Sequence, residues 1–312
     1  MIDPDTFLTI LYVTVDETLA RLGLAEPRRR GPARGLAQAE VVTLALYGQW
    51  AHFGGEAAFW RHADGRLRAA FPGLPAPSQY NRAVRACHAA IAAVGQALAA
   101  LLDAGACAYE ALDSTGVATR NGKRRGRGWL AGQADWGWCS RLGRYHGLHL
   151  LVAVTPLGAV TGWGLAPASA ADQDLAEAFF AARRYGRGAL PEAGAPAGGA
   201  YLADTGFEGD ARWHTWASLY GAEVVCPPKP AHTKSRRWPA ALRRAHAARR
   251  QIIEAVNEHL LTPFGLEHER PHAIDGARAR LAAKAALHNF CLWLNVHLSR
   301  PPLAIADLVD WL

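Results

Sequence analysis

The stretch His146–Thr155 (HGLHLLVAVT), the turn residues Pro156-Leu157-Gly158 and the returning run Ala159–Leu165 constrain this chain more than any other feature. β-Branched and other apolar residues on both sides of a short turn read as a hairpin. An isolated hairpin is marginal in water, so it needs further strands, and an all-helical fold is excluded. Two short runs supply them: Ala106–Leu112, ending at Asp113, and Tyr201-Leu202-Ala203, ending at Asp204. Ala222–Cys226 is another, stopped by Pro227-Pro228. Helical patterns lie between and after them, at Asp172–Tyr185, Asp210–Tyr220, Ala240–Leu261 and roughly Gly276–Leu298. The order strand–hairpin–helix–strand–helix–strand–helix predicts an α/β fold, a mixed sheet flanked by helices.

Everything before this region reads as helix. Segments at about 5–22, Leu36–Trp50 and Glu56–Ala70 are followed by a long helix from Ser78 to about Leu102. They are separated by Glu26–Pro32 and by Pro72, Pro75 and Pro77. At about 150 residues per domain, 312 residues make two domains. The expected division is an all-α N-terminal domain over 1–104 and a sheet domain with C-terminal helices over 105–312. Helix–turn–helix spacing with Arg61, Arg66, Arg68, Arg82 and Arg85 suits a DNA-binding bundle, and a plain accessory bundle has the same pattern.

Composition narrows the partners. Half of the residues are hydrophobic, which excludes global disorder. The net charge is +7, and 30 of the 34 basic residues are Arg. Arg suits bidentate phosphate contacts, although biased codon usage explains the excess equally well. The five Cys form no CxxC pair and imply neither a disulfide framework nor a zinc cluster. The N-terminus has no basic leader, and the longest apolar run, Ala89–Leu102, is too short to span a bilayer. The expectation is a soluble cytoplasmic protein with no membrane partner.

The chemistry rests on three acids. Asp113 and Asp204 end the first and fourth expected strands, and Glu254 sits on the long helix. If those strands are neighbours, the two Asp converge at one sheet edge, and a helix across that edge brings Glu254 to them. Three carboxylates at one point repel unless a cation neutralises them. All-oxygen ligands suit Mg²⁺ or Mn²⁺, and two such ions clamp the attacking and leaving oxygens of a phosphodiester. Taken singly, each Asp is ordinarily a cap or turn former, and a helical Glu is ordinarily solvated.

At these residues the sequence resembles the insertion-sequence transposases of the DDE type, which have a ribonuclease-H-like catalytic domain. Phe59-Trp60-Arg61 and Gln79-Tyr80-Asn81-Arg82 resemble the family's helical leader. Leu112-Asp113-Ser114 resembles its first-Asp motif, Tyr145–Leu151 its hairpin strand, and Ala203-Asp204-Thr205-Gly206-Phe207 its second-Asp motif. Arg249–Asn257 resembles its Arg-x-x-x-Glu helix signature. The resemblance implies that Asp113, Asp204 and Glu254 bind Mg²⁺ or Mn²⁺, and that Arg250 contacts DNA or the transition state. It also implies double-stranded DNA partners (element ends and target) and at least a homodimer on DNA.

Basic residues flank these acids. Between Arg120 and Arg144 stand Arg120, Lys123, Arg124, Arg125, Arg127, Arg141 and Arg144, interleaved with Trp129, Trp136 and Trp138. A second basic run, with Lys229, Lys234, Arg236 and Arg237, leads to Arg250. Arg with aromatic residues grips phosphates and stacks on unpaired bases, and the two flanks fit an electrostatic funnel for DNA. A metal-dependent nuclease without strand transfer, or a transposase-derived DNA-binding protein, would share most of these features.

Overall fold

A computed structural model describes residues 1–24, 35–119, 130, 132–186, 190–196, 199–229, 237–268 and 270–311. Its helices are α1 (Pro4–Arg21), α2 (Gln38–Tyr47), α3 (Glu56–His62), α4 (Pro77–Ala86), α5 (His88–Leu101), α6 (Asp172–Tyr185), α7 (Asp210–Thr215), α8 (Ala240–Leu261) and α9 (Ile274–His297). Its strands are β1 (Tyr109–Ala118), β2 (Asp135–Cys139), β3 (Gly143–Val154), β4 (Val160–Pro167), β5 (Ala200–Leu202) and β6 (Val224–Val225). The chain divides into two compact units, one of Met1–Leu98 with His259–Leu312 and one of Ala99–Glu258.

The first unit is helical. Asp3 caps α1 by accepting from the Thr6 amide at 2.9 Å, and Pro4 opens the first turn. The single helix expected over 78–102 is two, α4 and α5, bent by 57° where Cys87 leaves the helical range. The bend turns Ile91, Val94 and Leu98, all fully buried, into the core. The helix expected over 56–70 stops at His62, and a wider π-type turn over Ala63–Leu67 replaces its end. The expected domain of 105–312 differs from the observed units, because α9 packs with the N-terminal helices. Phe290 meets Phe7 edge-on at 5.3 Å, and Asn289 donates to the Gly95 carbonyl at 2.9 Å. α9 buries an almost unbroken run from Ala279 to Asn295, so it needs neighbours on every side. Among the described residues no single helix is long and apolar enough to cross a membrane.

The second unit is a mixed sheet of order β2-β3-β1-β5-β6, with β4 on the free half of β3. β1, β3 and β4 are antiparallel, whereas β5 and β6 add in parallel. This curled mixed sheet with flanking helices is the expected ribonuclease-H-like architecture. β1 runs on through Asp113 to Ala118 instead of ending there, because Ser114–Ala118 keep pairing with Leu151–Gly147 of β3. The two strands approach closely at Gly147, where a Cβ would lie 2.0 Å from the Val117 carbonyl oxygen. β2 falls in the polar aromatic stretch, which has no apolar alternation to announce it.

Alternation along β1 decides what faces what. Glu110, Leu112 and Ser114 face α6, whereas Asp113 faces α8. Leu112 joins a core with Leu151, Leu175, Phe179, Phe180, Tyr201 and Trp216. Beside it lies a buried ion pair. Arg183 of α6 meets both Glu110 oxygens at 2.8–2.9 Å, donates to the Tyr201 hydroxyl at 2.9 Å and to the Ala193 carbonyl at 2.8 Å, and lies over the Phe179 ring. Both charged side chains are at most 2 % exposed. Removing one partner strands the other in the interior. Arg183→Met or Glu110→Leu alone should therefore cost about 3–5 kcal/mol in urea unfolding, and the double variant clearly less than the sum. Additive losses would show that the two charges do not depend on each other.

Candidate active site

The last β1–β5 pair is Ala111 with Leu202. Two residues further along both strands come Asp113 and Asp204, on the same face as that pair. Parallel register thus carries Asp113 and Asp204 toward one another, and the Asp204 charge is close enough to help raise the Asp113 carboxyl. Asp204 leaves the strand as the cap of a short turn over Thr205–Phe207, its carboxylate accepting from the Gly206 amide at 2.8 Å. The capping reading and the site reading of Asp204 are therefore compatible.

α8 crosses this strand end. Its inward face carries His246, Arg250, Ile253 and Asn257. His246 Nε2 lies 3.1 Å from the Val225 carbonyl oxygen of β6. Arg250 Nη1 is 3.2 Å from one Asp113 oxygen, and Asn257 Nδ2 donates to the other at 3.1 Å. Glu254 stands between these two on the flank of the helix. Its side chain is 61 % exposed, and its carboxylate is 3.4 Å from Arg250. Glu258, one turn on, is also exposed.

A further acid belongs to this place. Asp172, the first residue of α6, accepts from the Ser114 hydroxyl and lies 3.2 Å from His149 Nε2. His149 Nδ1 is 2.9 Å from the Ala170 carbonyl oxygen, which fixes the ring. A Cβ on Gly206 would sit 2.6 Å from Asp172 Oδ2 and 2.9 Å from Asp204 Oδ1, so a side chain there would push these two carboxylates aside. In the sequence Asp172 only opens a helical pattern and His149 only lies within the His146–Thr155 strand. The available signal was Ser114 beside Asp113, together with an acid at the start of the helix behind it.

The electrostatics follow from this crowding. Burial pushes the Asp113 carboxyl up to about 6, with Asp204 and Asp172 adding to the rise and Arg250 opposing it. Burial also pushes Asp172 up, but hydrogen bonds from His149 and Ser114 and the charge of Lys229 outweigh it and leave that carboxyl low. His149 is correspondingly raised, its contacts with Asp172 and Ala170 overcoming burial. Among the described residues no three His, Cys, Asp or Glu side chains converge closely enough to hold a metal ion unaided. The donor chemistry nevertheless fits a hard divalent cation. Asp113 and Asp204 are adjacent carboxylates, and Asp113 carries a charge that its surroundings leave under-compensated.

Of the basic and aromatic residues expected to bind DNA, Arg120, Lys123, Arg124, Arg125, Arg127, Trp129, Lys234 and Arg236 lie outside the described residues. Arg141 donates to the Gly116 carbonyl of β1 at 2.7 Å and so braces the strand. Lys229 follows β6, its amide donating to Glu208 at 2.8 Å, and Arg237 is exposed just before α8. Trp138 on β2 is 73 % exposed, and the Arg144 guanidinium lies 5.1 Å over the neighbouring Trp136 ring.

The half-buried Asp113 charge has a measurable cost. Its folded carboxyl titrates near 6 against an ordinary 3.8, so the charged form loses stability as pH rises between these values. Asp113→Asn should stabilise the metal-free protein by about 1–3 kcal/mol above pH 6, and the gain should vanish near pH 4. Urea unfolding in EDTA at pH 4, 5.5 and 7.5 reads this directly. A pH-independent difference would mean that Asp113 is not under electrostatic pressure.

The chain has no match among curated proteins or solved structures. Residues 111–290 match the family model for the transposase DDE domain. That span is 180 of the 312 residues, more than half of the chain. It opens two residues before Asp113 and takes in β3, Asp204, the whole of α8 and most of α9. With the sheet, the paired Asp and the crossing helix all inside the matched span, the chain belongs to the DDE transposase family.

Proposed function

We propose that the protein is a DNA transposase that binds the ends of its element, cleaves phosphodiester bonds there and joins the freed 3′-hydroxyl to target DNA. The observation that carries this reading is the register placing Asp113 beside Asp204, with α8 laid across them through Arg250 and Asn257. Asp113, Asp204 and Glu254 are the carboxylates that would hold Mg²⁺ or Mn²⁺. When bound, the cation lowers the pKa of the attacking water or hydroxyl and stabilises the departing oxygen. Asn257 and Arg250 hold the Asp113 carboxylate in place until then. Glu254 is favoured over Asp172 as the third acid because Asp172 is already engaged by Ser114 and His149. The Glu254 carboxylate has only a long contact with Arg250 among its described partners.

The basic flanks, Arg120–Arg144 and Lys229–Arg250, form the DNA-binding surface in this reading, with Arg250 passing from Asp113 to a phosphate as the site loads. Synapsis of two ends requires at least a dimer, and the working location is the cytoplasm, on the nucleoid. A nuclease that cuts without joining is the second reading, since the same carboxylates serve both reactions. A strand-transfer assay on pre-cut ends separates the two. Persistent absence of metal-dependent cleavage would instead leave a DNA-binding relic.

Asp113→Asn and Asp204→Asn should each remove Mg²⁺-dependent cleavage while leaving duplex binding intact or tighter, because each also removes a negative charge facing phosphate. Glu254→Gln should lose activity by several orders of magnitude and Glu258→Gln should change it little. The reverse ranking would displace the metal ligand by one turn of α8. Duplex affinity measured in EDTA should fall with salt at a log–log slope of about −0.9 per phosphate neutralised. A flat salt dependence would remove the basic flanks from the DNA-binding surface.

A further inference from the structure

Asp172 is gripped by one oxygen and presents the other. The Ser114 hydroxyl and His149 Nε2 both fall on Oδ1. His149 is itself held through Nδ1, 2.9 Å from the Ala170 carbonyl oxygen, so both of its ring nitrogens are committed. Two oriented neighbours on one oxygen fix the direction of the other, as supporting residues do around the carboxylates of a metal site. A residue that only starts a helix has no need of such a clamp.

The free oxygen points toward Asp204. A Cβ added to Gly206 would meet Asp172 Oδ2 first and Asp204 Oδ1 next, so the two oxygens border one small space that the glycine leaves open. No hydrogen bond among the described residues falls on Asp172 Oδ2. The Asp172 side chain is 31 % exposed, so solvent and ions reach it. Beyond the effect of burial, the charges of Asp204 and Asp172 both raise the Asp113 carboxyl, which places all three acids within reach of one another. Carboxylates this close repel, and a cation among them removes the repulsion. Mg²⁺ takes about six oxygen ligands, which leaves room for an acid beyond Asp113, Asp204 and Glu254.

We infer that Asp172 is a fourth carboxylate of the cation site, offering Oδ2 to the ion alongside Asp204 while His149 and Ser114 act as positioning residues on Oδ1, a role that rests on the transposase reading above. Asp172 reaches the site from α6, on the face of β1 opposite to α8, so the ion would be held from both sides of the sheet.

The test is cation binding by the full-length protein without DNA. Mn²⁺ affinity is read from the electron paramagnetic resonance signal of the free ion, and the luminescence lifetime of bound Tb³⁺ in H₂O and D₂O counts its coordinated waters. Asp172→Asn keeps a helix start and an acceptor for Ser114 but removes the ligand oxygen. It should weaken Mn²⁺ about ten-fold or more and admit about one extra water to Tb³⁺. Asp172→Glu should recover part of that affinity, which a helix-start role would not require. His149→Gln should weaken Mn²⁺ by a smaller factor and leave the water count unchanged. Asp174→Asn removes the same charge from an exposed side chain two residues on, paired with Arg212 at 2.7 Å, and should alter neither readout.

An Asp172→Asn variant with unchanged affinity and water count overturns the inference, as does an equal loss in Asp174→Asn. So does a lack of Mn²⁺ binding by the unaltered protein at millimolar concentration. If Asp113→Asn and Asp204→Asn abolish binding and Asp172→Asn does not, the fourth ligand fails and the transposase reading stands. If Asp172→Asn weakens binding as expected but the unaltered protein never cuts an end duplex, the transposase reading fails and the fourth ligand stands.

Discussion

Three residue pairs of parallel strand, Tyr109–Ala111 against Ala200–Leu202, carry the geometry on which the site depends. Parallel pairs need a long crossover, and here it includes the β3–β4 hairpin, α6 and the loop after it. Nothing local holds so short a pairing together. The buried Arg183 does so from α6, reaching Glu110 on β1, Tyr201 on β5 and Thr161 on β4 at once. A charge pair is a poor source of net stability, but it is directional where apolar contacts are not. A slip of one residue between β1 and β5 would separate Glu110 from Tyr201 and turn one of the two Asp to the opposite face. The buried pair and the acid pair are thus read from the same register, on opposite faces of one strand.

How much of this was legible in the sequence differs by element. The hairpin, α6 and α8 stood out because their apolar periodicity is long and unambiguous, and the observed α6 and α8 match the expected spans residue for residue. The adjacency of the first and fourth strands followed from connection order. What failed did so where local pattern is silent. β1 continues past Asp113 because β3 pairs with it, and pairing partners leave no mark on Asp113-Ser114-Thr115-Gly116. β2 is a strand of Trp, Gly and Asp on the sheet margin, held by backbone pairing with β3. The break at Cys87 lies in an Ala-rich stretch with no Pro or Gly nearby, so nothing in the sequence announces it.

The candidate site was legible in part for a similar reason. Asp113 follows one apolar run and Asp204 another, so spacing and connection order alone suggest pairing them. Asp172 carries no such signal, because an acid in the first turn of a helix is also what the helix dipole favours. Only the closeness of Ser114, His149 and Gly206 sets it apart from a routine capping acid. Asn257 lies on the inward face of α8 seven residues after Arg250, two turns along the same stripe. A reading centred on charged residues passes over a neutral amide that fixes a carboxylate by donating to it.

Division into units and extent of the family match follow different physical criteria. The match runs from β1 into α9, whereas compactness assigns α9 to the helical unit. α8 is where the two descriptions meet, since its first nineteen residues belong to the sheet unit and its last three, from His259, to the helical one. A continuous helix transmits rotation about its own axis along its whole length. Arg250 and Asn257 therefore keep their phase relative to Leu260 and Leu261, which are buried at the other end. Every acid of the candidate site, Asp113, Asp172, Asp204 and Glu254, lies within the sheet unit.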